Sequence, residues 1–184
     1  MIKGRIVSLR KIEREDLKRI VDWINNPTTA EQMGIEYPVS EAEEELWFEN
    51  MLRDKSKLVF AIVENKENRH VGNISLDQID RRARKGRLSI FIGDESDRSK
   101  GFAQDALVVF LKYCFLRLNL HKVYLIVNED NKAAISLYEN CGFSREGLLR
   151  DDDFIAGRYV NRIHMSILET DFKKLQDKGT GVSS

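Results

Sequence analysis

The chain has 184 residues, enough for one domain with a substantial core, and 42% of them are hydrophobic, an ordinary share for a globular protein. Thirty Lys and Arg balance thirty Asp and Glu, so no global field attracts a nucleic acid or an anionic membrane. No apolar run reaches the ~18 residues of a transmembrane helix, and the opening Met1-Ile2-Lys3-Gly4-Arg5 lacks the apolar stretch of a secretory signal.

Along the chain, Ile6, Val7 and Leu9 suggest a first strand. Leu17, Ile20, Val21 and Ile24 then recur at helical spacing until Asn25-Asn26-Pro27 breaks the helix. Thr28–Val39 reads as a long loop of mixed polarity, suited to binding. Ser40 and Glu43 have capping-box spacing and open a second helix carrying Leu46, Trp47 and Met51. Three strands follow, Leu58–Val63, Val71–Ile79 and Arg87–Ile92. The basic turn Arg81-Arg82-Ala83-Arg84-Lys85-Gly86 joins the last two and contains no aromatic residue, which favours a solvated turn over a nucleic-acid patch.

The next helix opens near Gly101, and Ala103, Ala106, Leu107, Phe110, Leu111, Cys114 and Phe115 form its apolar stripe. Val123, Leu125 and Val127 alternate as a strand, and Asn131–Cys141 is a short helix closed by Gly142. Two closing strands, about Phe143–Phe154 and Arg158–Leu168, meet at Ala156-Gly157, and a last short helix covers Asp171–Lys178. The order describes one domain over residues 1–178, an α+β (α/β) mixed sheet of about seven strands flanked by helices, with a disordered tail at 179–184. Cys114 and Cys141 lie in helical patterns without metal-ligand spacing, as reduced thiols of a cytoplasmic protein do. His121 precedes a strand and His70 and His164 lie within strands, so no metal site is expected.

The segment from Leu88 to Ala103 carries the chemistry. A buried strand ends, a polar loop follows, and a helix opens on Gly101, where unpartnered N–H groups and the helix dipole favour phosphate. Gly101 and small Ala103 leave the backbone approachable, while Arg98 and Lys100 add charge. The spacing Arg98-x-x-Gly101-x-Ala103 resembles the pyrophosphate motif of GNAT acetyltransferases. Asn131, Ala134, Leu137, Tyr138, Gly142 and Phe143 fall in register with that family's second signature. The opening Leu9-Arg10-Lys11-Ile12-Glu13-Arg14-Glu15-Asp16-Leu17 is similar to that of ribosomal-protein N-terminal and bacterial spermidine acetyltransferases, as is the closing hairpin. Trp23-Ile24-Asn25-Asn26-Pro27 also resembles the amino-sugar acetyltransferases, and Ala30–Val39 lacks the paired acidic motif of a close spermidine acetyltransferase.

That resemblance implies an N-acetyltransferase with acetyl-CoA as co-substrate and a small-molecule or peptide amine as acceptor: a polyamine, a protein N-terminus or an amino sugar. It implies that the fourth and fifth strands of the sequence count, Arg87–Ile92 and Val123–Val127, splay apart to admit the pantetheine arm. Phe91 and Ile92 would pair with the arm, Ser99, Lys100, Gly101, Phe102 and Ala103 would cradle the diphosphate beside Arg98, and Asn131 would bond the arm or nearby backbone. Tyr138 matches the family's general acid for the departing thiolate, and a homodimer is common among such families. A general base is open between Asp77, Glu36 and a water chain. Asp151-Asp152-Asp153 reads either as a solvated acidic turn or as an attractor for a cationic acceptor. Two other classes stand beside this reading: a non-catalytic acyl-CoA sensor, and an RNA-associated protein using the arginine-rich turn.

Overall fold

A computed structural model describes residues 1–35 and 38–177; Glu36 and the tail expected at 179–184 lie outside them. The chain forms β1 (Ile2–Lys3), β2 (Val7–Lys11), α1 (Leu17–Ile24), α2 (Pro27–Met33), α3 (Glu41–Arg53), β3 (Leu58–Glu64), β4 (Arg69–Asp80) and β5 (Lys85–Ile92). It continues with α4 (Phe102–Leu116), β6 (Lys122–Asn128), α5 (Lys132–Asn140), β7 (Ser144–Ile155), β8 (Arg158–Leu168) and α6 (Glu169–Asp177). Eight strands make one sheet in the order β1-β2-β3-β4-β5-β6-β8-β7. All neighbours are antiparallel except β5 and β6, the pair that gives the sheet its mixed character.

The sheet has one strand more than the seven expected. Ile2 and Lys3 pair with Leu9 and Ser8, an edge strand too short to show periodicity. The parallel pair expected as fourth and fifth is therefore β5 and β6. A second difference lies in the segment Thr28–Val39, expected as a loop: α1 ends before Asn25-Asn26-Pro27 as expected, but Pro27 then opens α2, which runs to Met33. Asn26 caps α2 by accepting from the N–H groups of Thr28 and Thr29 at 3.1 and 3.4 Å, and Gly34 (φ 67°) closes it. Proline at the first helical position loses no hydrogen bond, because that N–H has no partner anyway.

Helices cover both faces. One apolar cluster joins the sheet to α4, α5 and α6, with Phe110, Leu107, Leu111, Val123 and Ile167 among its buried side chains. The other joins it to α1 and α3 through Trp23, Ile20, Phe48 and Ala61. The capping box at α3 is made, Ser40 N donating to Glu43 Oε2 at 2.8 Å. Leu46, expected on the apolar face of α3, is 62% exposed, and Phe48 is buried instead. The last helix packs, with Phe172 5.0 Å from the ring of Phe115. Ala156 (φ 50°) and Gly157 (φ 81°) join β7 to β8 as two left-handed residues, the geometry of a tight hairpin turn. Among the described residues no helix is long and apolar enough to cross a membrane.

Candidate functional site

The parallel ladder between β5 and β6 has three rungs, Lys85 with Lys122, Gly86 with Val123 and Arg87 with Tyr124. Beyond them β5 stays paired to β4 as far as Ile92, and β6 stays paired to β8 as far as Asn128. Residues 88–92 and 125–128 therefore face each other without a ladder, and the sheet opens between them. Phe91 and Ile92, half-buried, lie on the open stretch of β5, opposite Asn73 and Gly72 of β4. An extended amide chain can pair with such an edge as an added strand.

The open stretch leads through the 3-10 turn Glu95–Asp97 to α4. The first backbone bond of α4 runs from Asp105 N to Gly101 O at 3.0 Å, and the N–H groups of Gly101, Phe102 and Ala103 meet no acceptor among the described residues. Gly101 has φ 84°, a conformation L side chains rarely adopt, and the exposed Ser99 has φ 62°. Phe102 is buried, so it offers its backbone, not its ring, to a ligand. The two cations of the loop have protein partners. Arg98 donates to Thr29 Oγ1 of α2 at 3.4 Å, and Lys100 donates to Asp97 Oδ1 at 2.9 Å.

At the far end of β6, Asn131 caps α5, its side-chain oxygen accepting from Ala134 N at 3.1 Å. Gly142 (φ 94°) follows α5, and a β-carbon there would lie 2.3 Å from Leu175. Tyr138 is 8% exposed, its ring 5.7 Å from that of Phe143. Burial pushes its phenol up to about 12, so it is protonated at neutral pH and can donate. Its hydroxyl bonds no described residue. Cys141 nearby is held up at about 11 and Cys114 higher still, both by burial, so both are inert thiols.

Other sequence candidates are engaged elsewhere. Asp77 accepts from Arg87 Nε at 2.8 Å across the β4–β5 ladder. Asp151, Asp152 and Asp153 lie within β7 at a register shift, not in a turn, and Arg162 of β8 pairs with Asp152 at 2.6 Å and Asp153 at 2.9 Å. In the basic turn, Arg84 donates to Asn119 O at 2.7 Å and Asn119 Oδ1 at 2.8 Å, tying the turn to the end of α4. Both strand histidines have partners: His164 Nδ1 lies 3.0 Å from Glu146 Oε2, and His70 Nε2 lies 2.8 Å from Asn73 Oδ1. Among the described residues no group of three potential metal ligands gathers.

Three residues of the loop's setting were not legible in the sequence. Arg69 forks onto the buried Asp97 at 2.5 and 2.8 Å, and Asp105 accepts from Arg5, Ile6 and Val7 N–H at 3.2, 2.7 and 2.9 Å. Trp23 lies flat against Gly93, where a β-carbon would come within 2.1 Å of the indole. Only that glycine, directly after a buried strand, hints at a close approach.

The family described as an acetyltransferase (GNAT) domain matches residues 7–144. A spermidine N(1)-acetyltransferase of Vibrio cholerae is 35% identical over 90% of this chain and 95% of its own length. One from Escherichia coli is 36% identical over 92% of this chain and 89% of its own. A crystal structure of spermidine N-acetyltransferase from Vibrio cholerae in complex with CoA and spermine superposes with a TM-score of 0.85 at 33% identity, over 91% of this chain and 98% of that one.

Proposed function

The chain belongs to the GNAT acetyltransferase family, and from that premise we propose that it moves the acetyl group of acetyl-CoA to a primary amine of a polyamine. It is an N-acetyltransferase, and acetyl-CoA is its co-substrate. The observation that carries the reading is the three-rung parallel ladder, which leaves two open strand edges running to free amides at the start of α4. The pantetheine arm pairs along residues 88–92, and the diphosphate sits on the N–H groups of Ser99 to Ala103. This points the thioester towards the end of β6 and Tyr138.

For the acceptor, the relatives are spermidine acetyltransferases, which supports a polyamine here although Ala30–Val39 of this chain lacks the paired acidic motif. A cavity of about 430 Å3 beyond the end of β6 is lined by Glu129, Asp130 and Asp151 together with Lys132 and Arg158, and Arg158 pairs with Asp130 at 3.1 Å, so the acceptor reading rests on the relatives rather than on the charge of this cavity. An amine with a pKa near 10.4 is neutral in only about one molecule in two thousand at pH 7, a cost of roughly 4–5 kcal/mol, so proton removal matters. Asp77 is occupied by Arg87, which leaves Glu36, outside the described residues, and ordered water as candidates to carry that proton.

The amine nitrogen attacks the carbonyl carbon, the C–S bond breaks, and the amine's proton balances the departing thiolate. Full transfer from a phenol at about 12 to a thiolate of ordinary pKa, ~8.5, is uphill by roughly 5 kcal/mol. Tyr138 therefore acts by hydrogen-bonding the leaving sulfur as its charge develops. The buried free cysteines fit a reducing cytoplasm. The exposed apolar Leu148, Phe154 and Tyr159 on β7 and β8 fit a homodimer, which sedimentation velocity checks.

Thiol release from acetyl-CoA, measured with spermidine, spermine, an N-terminal peptide and an amino sugar, tests the whole. Polyamines are expected to be the best acceptors, and Tyr138→Phe to lower kcat roughly 100-fold with CoA binding unchanged. Equal turnover by the variant removes Tyr138 from this role. Tight CoA binding with no acceptor turned over favours a sensor.

A further inference from the structure

The loop entering α4 turns through two left-handed residues, Ser99 (φ 62°) and Gly101 (φ 84°), on either side of Lys100. Glycine takes this conformation freely. A serine there is strained and persists only where its surroundings fix it. Two carboxylates supply the fixing. Downstream, Asp105 accepts from Ile6 N and Val7 N at 2.7 and 2.9 Å. Upstream, Asp97 is 1% exposed and takes both arms of the Arg69 guanidinium at 2.5 and 2.8 Å, with the Lys100 ammonium at 2.9 Å.

Arg69 is the first residue of β4, separated from the gap by β5 alone, and so it ties the loop to the sheet. The paired guanidinium holds the Asp97 carboxyl down at about 2, so the pair is fully charged near neutral pH. Glu64 and Glu67 also lie 3.7 and 3.6 Å from Arg69, and Lys100 is held on Asp97, so the cluster fixes where the Lys100 ammonium sits rather than leaving a spare charge.

We infer that Arg69 and Asp97 are positioning residues for the acyl donor: their forked pair sets the Ser99–Ala103 bend, with its free amides and Lys100, before the donor's diphosphate arrives. The inference rests on the reading of that loop as the diphosphate seat. A seat shaped in advance spares the ordering cost of binding. Removing Arg69 instead leaves the buried Asp97 carboxylate with Lys100 as its remaining cationic partner near the phosphates, and releases the fork that fixes the bend.

The test compares two donors, acetyl-CoA and S-acetylpantetheine, which lacks the diphosphate. Arg69→Gln is expected to lower kcat/KM for acetyl-CoA about tenfold or more through KM, with kcat and the amine KM unchanged. Its kcat/KM for S-acetylpantetheine stays at the native value. Arg69→Lys, which keeps the charge but not the fork, restores part of the loss. Equal proportional losses on both donors, or no loss with acetyl-CoA, overturn the inference. Should Arg69→Gln fail to fold, Arg69→Lys carries the same comparison, with a smaller loss on acetyl-CoA and none on S-acetylpantetheine expected. Amide exchange in the native protein gives an independent reading at the bonded amides that flank the seat, Asp97 to Asp94 O, Arg98 to Glu95 O and Asp105 to Gly101 O: their protection without donor is expected, and exchange as fast as in an unstructured peptide overturns it. A native protein that binds CoA but acetylates no amine sinks the transferase reading alone, because the comparison then runs on binding of CoA against pantetheine.

Discussion

The loop entering α4 and the segment from Pro27 to Val39 touch through Arg98 and Thr29, yet they are held in opposite ways. The loop is fixed by charges that reach distant strands: Asp97 to Arg69 of β4, and Asp105 to the backbone around β2. The other segment is fixed mainly by neutral caps within it, Asn26 at the start of α2, Gly34 at its end, and a pair of hydrogen bonds between Asn25 and Val39. Distant charged anchors tolerate little change. Local caps let a segment vary without disturbing the sheet. The division suits a protein that binds one unvarying donor on the first side and an acceptor on the second.

The comparison breaks most visibly at Gly101. Gly101→Glu puts a carboxylate where the phosphates are proposed to sit and forces a side chain onto a φ of 84°. CoA affinity is expected to fall roughly 100-fold, about 3 kcal/mol, in titration calorimetry. Unchanged affinity takes the loop out of the donor site. Asp105→Ala strands three backbone N–H groups and is expected to cost about 2–3 kcal/mol in denaturant unfolding, against under ~1 kcal/mol for Thr29→Val on the other side. Similar losses at the two sites contradict the asymmetry.

Acid sharpens the same contrast. Asp97 is held near 2, below its ordinary 3.8, chiefly by the Arg69 hydrogen bonds. The pair's contribution, roughly 2 kcal/mol, is complete above about pH 4 and is lost as the pH falls towards 2. Burial alone would raise Asp16, but hydrogen bonds from Arg10 and His70 outweigh it and lower its pKa, so Asp16 adds to the same loss. A stability profile across that window should flatten in Asp97→Asn, and an unchanged slope contradicts the pairing. A smaller effect than at Asp97 is expected at Asn26→Ala, about 1 kcal/mol from a lost helix cap, with CoA affinity untouched.

Much of the local structure around the candidate site could be read in advance because its signals are short. The apolar stripe of α4, the Asn131 cap, the Ser40–Glu43 box and the closing Gly142 each depend on residues within a few positions of one another. The misreadings share a cause as well. Pro27 breaks one helix and starts the next, and the two uses look alike until Asn26 is seen capping the new one. Asp151 to Asp153 read as an acidic turn because nothing nearby in sequence shows that Arg162, across the β7–β8 ladder, neutralises two of them.

The sequence by itself determined where the helices other than α2 lie, that Gly101 opens the longest of those described, and that Tyr138 follows a capped turn after a strand. Only the tertiary structure decided that the β5–β6 ladder stops at Arg87 and Tyr124, and that Arg69 meets Asp97 twenty-eight residues away. Caps and periodicity are fixed by the covalent chain over one or two turns. Strand register and charge pairing are fixed by how separate segments pack, and that depends on the whole core at once.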